Sequence, residues 1–549
     1  MSRARLLSLA LLVLSFASTA PAQSADIRSY IQNAWTTLRR STDDCKTITD
    51  ERHPDRKQVI YFPADQPLPA VAADLARRCN VDTRQLPKPI TAPGTFDADH
   101  FSPHGLLYLP HPYIVPGGFF NEMYGWDSYF IIRGLLLDNH LDLARGMVEN
   151  FFYEIEHYGS ILNANRTYFL TRSQPPFLSA MVMAIYDAKP DHDWLIRAYP
   201  YIERDYHMWT SGKHLAGITG LSRYYDYGQG PTPDIAAVGD PYYAEVISAL
   251  ATSGIASNYQ SLSSTIGPRY TVTACVTGAA CAAPAQTALT ADYYQGDRAM
   301  RESGFDVSNR FGPYSGKTHH FAPVCLNSLL YQTEKNLQRI AEILNRPADA
   351  KRWAERARTR QQLMEKYFWD PQKKMYFDWN FTDSARSTYE YATTFYPLWV
   401  GLASPDRARD LISNLAKFEQ PGGIVMSTYD TRLQWDFPYG WAPINLITIE
   451  GLRHYHADEA ANRLSRKFIT MVAENFQRDG TIREKYNVVT RTTEQNVTAG
   501  YHVNVIGFGW TNATFLALWN ALPNSQKPAL STAPKPASTS QRPSSSSLP

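Results

Sequence analysis

From about residue 126 to residue 522, apolar residues recur every three or four positions, the spacing that lines one face of an α-helix. In "LARGMVENFFYEIEHYG", Leu143, Met147, Val148, Phe151 and Ile155 share a face, and Gly159 follows the expected stop. "QPPFLSAMVMAIYDAKPD" places two prolines at a helix start, where the missing N–H costs nothing, and Pro190 beyond its end. "LNSLLYQTEKNLQRIAEILNRP", "ADAKRWAERARTRQQLMEKYF", "APINLITIEGLRHY" and "ADEAANRLSRKFITMVAENF" repeat the theme. No alternation of strand and helix appears, so neither a doubly wound sheet nor a βα-barrel is expected. The pattern predicts a succession of amphipathic helices separated by loops rich in Gly, Pro and aromatic residues.

Four stretches depart from it. Residues 1–22 carry Arg3 and Arg5, an apolar run from Leu6 to Ala17 and the small-x-small triplet Ala20-Pro21-Ala22, the layout of a cleavable export signal. The run is shorter than the roughly 20 apolar residues that span a bilayer, so a periplasmic or secreted protein is expected, with no membrane association after cleavage. Residues 23–100 are polar and punctuated by proline, with one good helical pattern in "IRSYIQNAWTTLRRS", and read as an N-terminal extension. Residues 254–290, rich in Ser, Thr, Ala and Gly, predict a hairpin-like excursion; residues 523–549 predict a disordered Pro/Ser-rich tail.

Composition narrows the function. Of 549 residues, 54 are basic and 52 acidic, and this balance offers no electrostatic footprint for nucleic acid or a membrane surface. A neutral small molecule is the expected partner. Aromatic residues make up 13% of the chain, enough to suggest that ring faces are used somewhere. In an oxidising compartment Cys45 with Cys79, and Cys275 with Cys281, have partners at hand, which leaves Cys325 as a buried odd thiol. No cysteine spacing resembles a zinc site, so a metal is not expected.

The chemistry-bearing residues gather between helices. "PGGFFNEMYGWDSYF" (116–130), "NANRTYFLTRSQPP" (163–176), "RAMRESGFDVSNRFG" (298–312), "QWDFPYGWAP" (434–443) and "IREKYNVVTR" (482–491) alternate Asp127, Asp306, Asp436 and Glu484 with arginines and aromatic rings. Two carboxyl groups on opposite faces of a sugar, one protonated and one ionised, are what glycosidic hydrolysis requires. A carboxylate taken singly is as readily a structural cap or ion pair. Ring-rich loops likewise serve either a buried corner or a pyranose.

"PGGFFNEMYGWDSY" and "QWDFPYGWAP" resemble the two signature patterns of the trehalase family of glycoside hydrolases, and "RSQPP", "ESGFD", "EKY" and "GFGWTN" resemble further family blocks in the family's order, over residues 103–522. The resemblance implies an all-α fold, an (α/α)6 toroid of six helical hairpins with long active-site loops over 101–522, and inverting hydrolysis of the disaccharide α,α-trehalose without metal or cofactor. Carried over block by block, it implies Asp306 as general acid and Glu484 as general base. Phe120, Trp126, Asp127, Asn163, Arg172, Gln174, Trp435 and Trp441 are implied as the substrate shell. Arg310 is implied either as a hydroxyl ligand or as the partner of a carboxylate.

Departures qualify this. Phe119 stands where many family members have arginine, Tyr501 and His502 stand near the place of a Glu-Tyr pair, and Cys325 stands where some relatives have an acid. They keep open a related toroid α-glucosidase of altered substrate choice and a sugar-binding homologue without turnover.

Overall fold

The computed structural model describes residues 26–530 apart from 43, 50–56, 237–240, 254–259, 262–265, 273–284 and 498–502. The export signal, Cys275 and Cys281, Tyr501 and His502, and most of the Pro/Ser-rich tail lie outside the described residues.

Among the described residues, twelve helices build the body: α1 (Ile27–Thr37), α2 (Gly125–Leu137), α3 (Leu141–His157), α4 (Leu178–Ala188), α5 (His192–Trp209), α6 (Val324–Ile343), α7 (Pro347–Phe368), α8 (Tyr396–Trp399), α9 (Pro405–Ser413), α10 (Ala442–His454), α11 (Asp458–Asp479) and α12 (Gly509–Ala521). The even-numbered helices touch in the cyclic order α2, α4, α6, α8, α10, α12 and back to α2, a closed inner ring. The odd-numbered helices lie outside it. The fold is all-α, an (α/α)6 toroid.

The two layers differ in sequence for a physical reason. Outer helices bury one stripe: α11 hides Leu464, Phe468, Ile469 and Val472 and leaves charged residues to solvent. Inner helices are covered on every side: in α2 the run from Gly125 to Ile132 is wholly buried. The helix ends follow ordinary capping chemistry. Asp191 accepts from the Trp194 N–H at the start of α5, Ser404 accepts from Arg407 N–H ahead of α9, and Gly480 ends α11 in the left-handed conformation. The prolines of "QPPF" precede α4 instead of opening it, because Phe177 is the cap residue.

The ring closes where α12 meets α2. A Cβ on Gly134 would lie 2.7 Å from the Ala513 Cβ, so only glycine admits this approach. The first described helix seals the seam: Trp35 of α1 donates from Nε1 to Asp138 at 2.7 Å, and Tyr30 meets Thr481 at 2.8 Å.

The N-terminal region contains more than the polar pattern indicated. Val59–Phe62 pairs in parallel with Asp82–Gln85 and with Leu106–Leu107, and helix Ala70–Arg78 crosses between the first two strands, a small βαβ unit with its own apolar cluster. Its strands span two to four residues and one is largely exposed, so the apolar signal in sequence is faint. The Cys45–Cys79 disulfide ties this unit together, and Cys325 is a buried free thiol. The excursion does pair as strands: Ala285–Leu289 lies antiparallel between Gln260–Ser261 and Tyr270–Val272. Among the described residues no helix is long and apolar enough to cross a membrane.

Candidate active site

Every sequence block singled out for chemistry lies in, or runs into the helix at one end of, a connection that leads into an inner helix. Asp127 sits in the first turn of α2; Asn163, Arg172 and Gln174 precede α4; Asp306 and Arg310 precede α6; Trp435 and Trp441 precede α10; Glu484 precedes α12. Loops that lead into successive inner helices are gathered at one end of the ring, on a rigid scaffold.

Three carboxyl groups interact there. Asp127 is buried, and its carboxyl is held well above the usual carboxylate range, first by burial and then by the negative charges of Glu484 and Asp306. Asp306 follows helix Ala291–Ser303 through the left-handed Gly304, and its side chain is 32% exposed. Burial pushes its carboxyl up to about 6, against the pull of Arg301, whose Nη1 lies 3.9 Å away. Glu484 is 2% exposed. Its backbone is pinned by its N–H to the Val505 carbonyl at 3.0 Å and by the Trp510 indole donating to its own carbonyl at 3.1 Å. The Lys485 ammonium lies 3.5 Å from Glu484 Oε2 and stabilises negative charge on it, while burial lowers the ammonium's own pKa. Lys485 is itself oriented by Gln434, which accepts from Nζ at 2.9 Å and donates to the Asp306 carbonyl.

The "RSQPP" loop wraps this group. Gln174 accepts from the Trp126 N–H at 2.9 Å, Asn163 donates its backbone N–H to the Arg172 carbonyl at 2.8 Å, and Arg172 pairs with Asp234 at 3.0 Å over the Phe169 ring. Glu302 ties two loops to the helix that presents Asp306. Its carboxylate accepts from Ser173 N–H at 3.2 Å and from Tyr225 N–H at 2.6 Å, and pairs with the buried His214.

Of the two roles open to Arg310, the structure shows the carboxylate pair: it grips Asp378 through Nε at 2.8 Å and Nη2 at 2.7 Å, wholly buried beneath the Tyr391 and Phe311 rings. Trp441 does not wall a pocket, since its ring is fully buried, stacked on Trp435 at 3.8 Å and 2° with the Lys485 ammonium 5.2 Å from its centroid. Trp126, Trp435, Phe305 and Trp510 complete this aromatic block. Phe120 is half-buried against Tyr124, and Phe119 is exposed and lies on Phe120 at 4.5 Å.

Arg301, Glu302, Asp234 and Lys485 went unassigned in the sequence reading. Arg301 and Glu302 lie five and four residues before Asp306, and Lys485 directly follows Glu484, so adjacency was the available signal. Asp234 had none, because only the fold brings it to Arg172.

Residues 15–522 match the family model described as Trehalase. The chain is 34% identical over 515 residues to a cytosolic neutral trehalase from Saccharomyces cerevisiae, covering 83% of this chain and 65% of that protein. It is 35% identical over 453 residues to a cytosolic neutral trehalase from Beauveria bassiana, covering 74% and 58%. The chain thus spans less than two thirds of the length of these curated relatives. Among solved structures, the neutral trehalase Nth1 from Saccharomyces cerevisiae superposes with a TM-score of 0.74 at 30% identity, over 91% of this chain and 94% of that one. The cytosolic relatives overturn the expectation of a signal peptide and of a periplasmic or secreted location. An apolar run of about a dozen residues is as compatible with a buried helical segment as with a leader, and composition does not separate the two.

Proposed function

The chain belongs to the trehalase family of glycoside hydrolases, and from that premise we propose that it hydrolyses α,α-trehalose to two glucose molecules with inversion at the attacked carbon. Asp306 is the general acid that protonates the glycosidic oxygen, and Glu484 is the general base that draws a proton from the attacking water. The observation that carries this reading is the unequal treatment of the two carboxyls. Burial raises the Asp306 carboxyl to about 6, whereas Glu484 Oε2 lies 3.5 Å from the Lys485 side-chain nitrogen. Divergent environments for two acids are how one site keeps an acid and a base ready at the same pH.

Asp127, held neutral, can donate a hydrogen bond to a glucosyl hydroxyl. Arg172, Gln174, Asn163 and Phe120 complete the shell, and Arg172 keeps its Nε without a hydrogen-bond partner among the described residues. Trp126 and Trp435 act as supports for that shell.

The stereochemistry provides the test. Trehalose joins two α-glucosyl units; inversion at one carbon releases one β-glucose and one α-glucose, whereas retention releases only the α anomer. Proton NMR of the first turnovers should show the two anomers in equal amounts. Release of α-glucose alone would overturn the inverting assignment, and no glucose release from trehalose would overturn the activity. A second reading, a toroid α-glucosidase of altered substrate choice, is favoured by the exposed apolar Phe119; faster release from an aryl α-glucoside than from trehalose would select it.

A further inference from the structure

Away from the carboxylates, helix Ala291–Ser303 begins beside the turn Thr318–His320 that leads into α6. Asp292, in the first turn of that helix, meets two adjacent imidazoles: its Oδ1 lies 2.9 Å from His319 Nε2 and 3.1 Å from His320 Nε2. The three atoms all lie within 4.8 Å of one another. This is the one such cluster of three or more His, Cys, Asp or Glu among the described residues.

The spacing suits a cation. Ligand atoms about 2.0–2.1 Å from a tetrahedral zinc ion stand roughly 3.3 Å apart, so the carboxylate-to-imidazole separations need to open by a few tenths of an ångström, and the two imidazole nitrogens, no more than 4.8 Å apart, need to settle at the same spacing. The surroundings suit it too. His319 is buried, His320 is partly exposed and Asp292 is 54% exposed, which leaves one side of the cluster open to solvent. Arg223 donates to the His319 carbonyl at 2.8 Å and stacks over the Tyr225 and Phe381 rings, which holds the turn in place.

We propose that Asp292, His319 and His320 form a three-ligand site for a zinc-class divalent cation, with water completing the coordination. Two imidazoles and one carboxylate select a borderline ion over magnesium or calcium, which prefer all-oxygen sets. The bound ion clips the start of the helix whose far end presents Asp306 to the turn that opens α6. It replaces two hydrogen bonds by coordinate bonds across residues 27 and 28 apart. The site is separate from the proposed hydrolytic chemistry, which needs no metal.

The experiment uses the full chain, tag-free and dialysed against chelator. Isothermal titration with zinc alone should show one equivalent bound, and cobalt(II) should give the intense visible bands of a four-coordinate N/O site. His320→Ala and Asp292→Ala should each weaken zinc binding by at least about tenfold. Both should leave hydrolysis in metal-free buffer unchanged and should abolish the zinc-dependent rise in melting temperature. His320 is partly exposed, so its variant is expected to fold. Unchanged zinc binding in both variants, or no binding by the native chain, would overturn the site.

Discussion

Asp306 and Arg310 stand four residues apart, yet the fold treats their charges in opposite ways. Arg310 is matched atom for atom by the Asp378 carboxylate and enclosed in rings. Asp306 lies 3.9 Å from Arg301, which already pairs with Asp297, and its carboxyl sits in surroundings that penalise ionisation. A buried pair with two good hydrogen bonds organises structure; a partly exposed acid left short of compensation can hold and release a proton.

The strongest way to break the contrast is to remove the proton-handling groups. Asp306→Asn and Glu484→Gln should each lower kcat roughly a hundred- to ten-thousand-fold, with the thermal transition essentially retained. Single-turnover kinetics with trehalose beside a melting curve will check this, and near-native kcat in either variant would remove its assigned role.

The opposite pattern is expected at Arg310. Arg310→Met leaves the Asp378 carboxylate buried and unpaired and should cost about 3–5 kcal/mol of stability, while kcat per folded molecule stays within tenfold. Urea denaturation measures it. The double variant Arg310→Met/Asp378→Asn should recover part of the loss, and a failure to recover any would show that the pair does more than balance charge.

The pH dependence sharpens the same point. Asp306 holds its proton up to about pH 6 when folded, against about 3.9 in an unfolded chain. An acid whose folded value is raised favours the folded state at low pH and costs stability as pH rises from about 4 to 6. The cost is on the order of 1–3 kcal/mol, reduced by the partial exposure of the side chain. The stability difference between Asp306→Asn and the native chain should therefore grow over that window and level off above it; a flat difference from pH 4 to 7 would contradict the raised carboxyl.

The smallest effect is expected at the rim. Phe119 is exposed and rests on Phe120, so Phe119→Arg should change KM for trehalose by only a few-fold and leave kcat alone. A change above about tenfold in kcat/KM would mean that the side chain reaches the reacting sugar.

The helical layers were legible because outer helices carry a one-sided stripe, and the site blocks were legible because tryptophan, proline and acid rarely crowd together in solvated loops. For Arg310 an ion pair was one of two roles the sequence left open, and the identity of its partner was not legible. Its partner Asp378 is 68 residues away in "MYFDWN", and spacing to Asp306 says nothing about which carboxylate a guanidinium will meet. Trp441 misled for a related reason: an indole stacked on a neighbouring indole and one facing a sugar leave the same letter in the chain. The βαβ unit at residues 59–107 was missed because its short strands offered too few alternating positions.

The seam between α2 and α12 sets an order of events during synthesis. Gly134 and Ala513, which touch, are about 380 residues apart, so at ~5–20 residues per second the first inner helix leaves the ribosome roughly 20 to 80 seconds before its partner exists. For that interval Ile131, which faces Gly509 at the start of α12, and the Gly134 face of α2 lack this partner. A nascent chain of this fold presents that face to chaperones, and a stop codon placed anywhere before α12 yields an open arc with a greasy edge at each end.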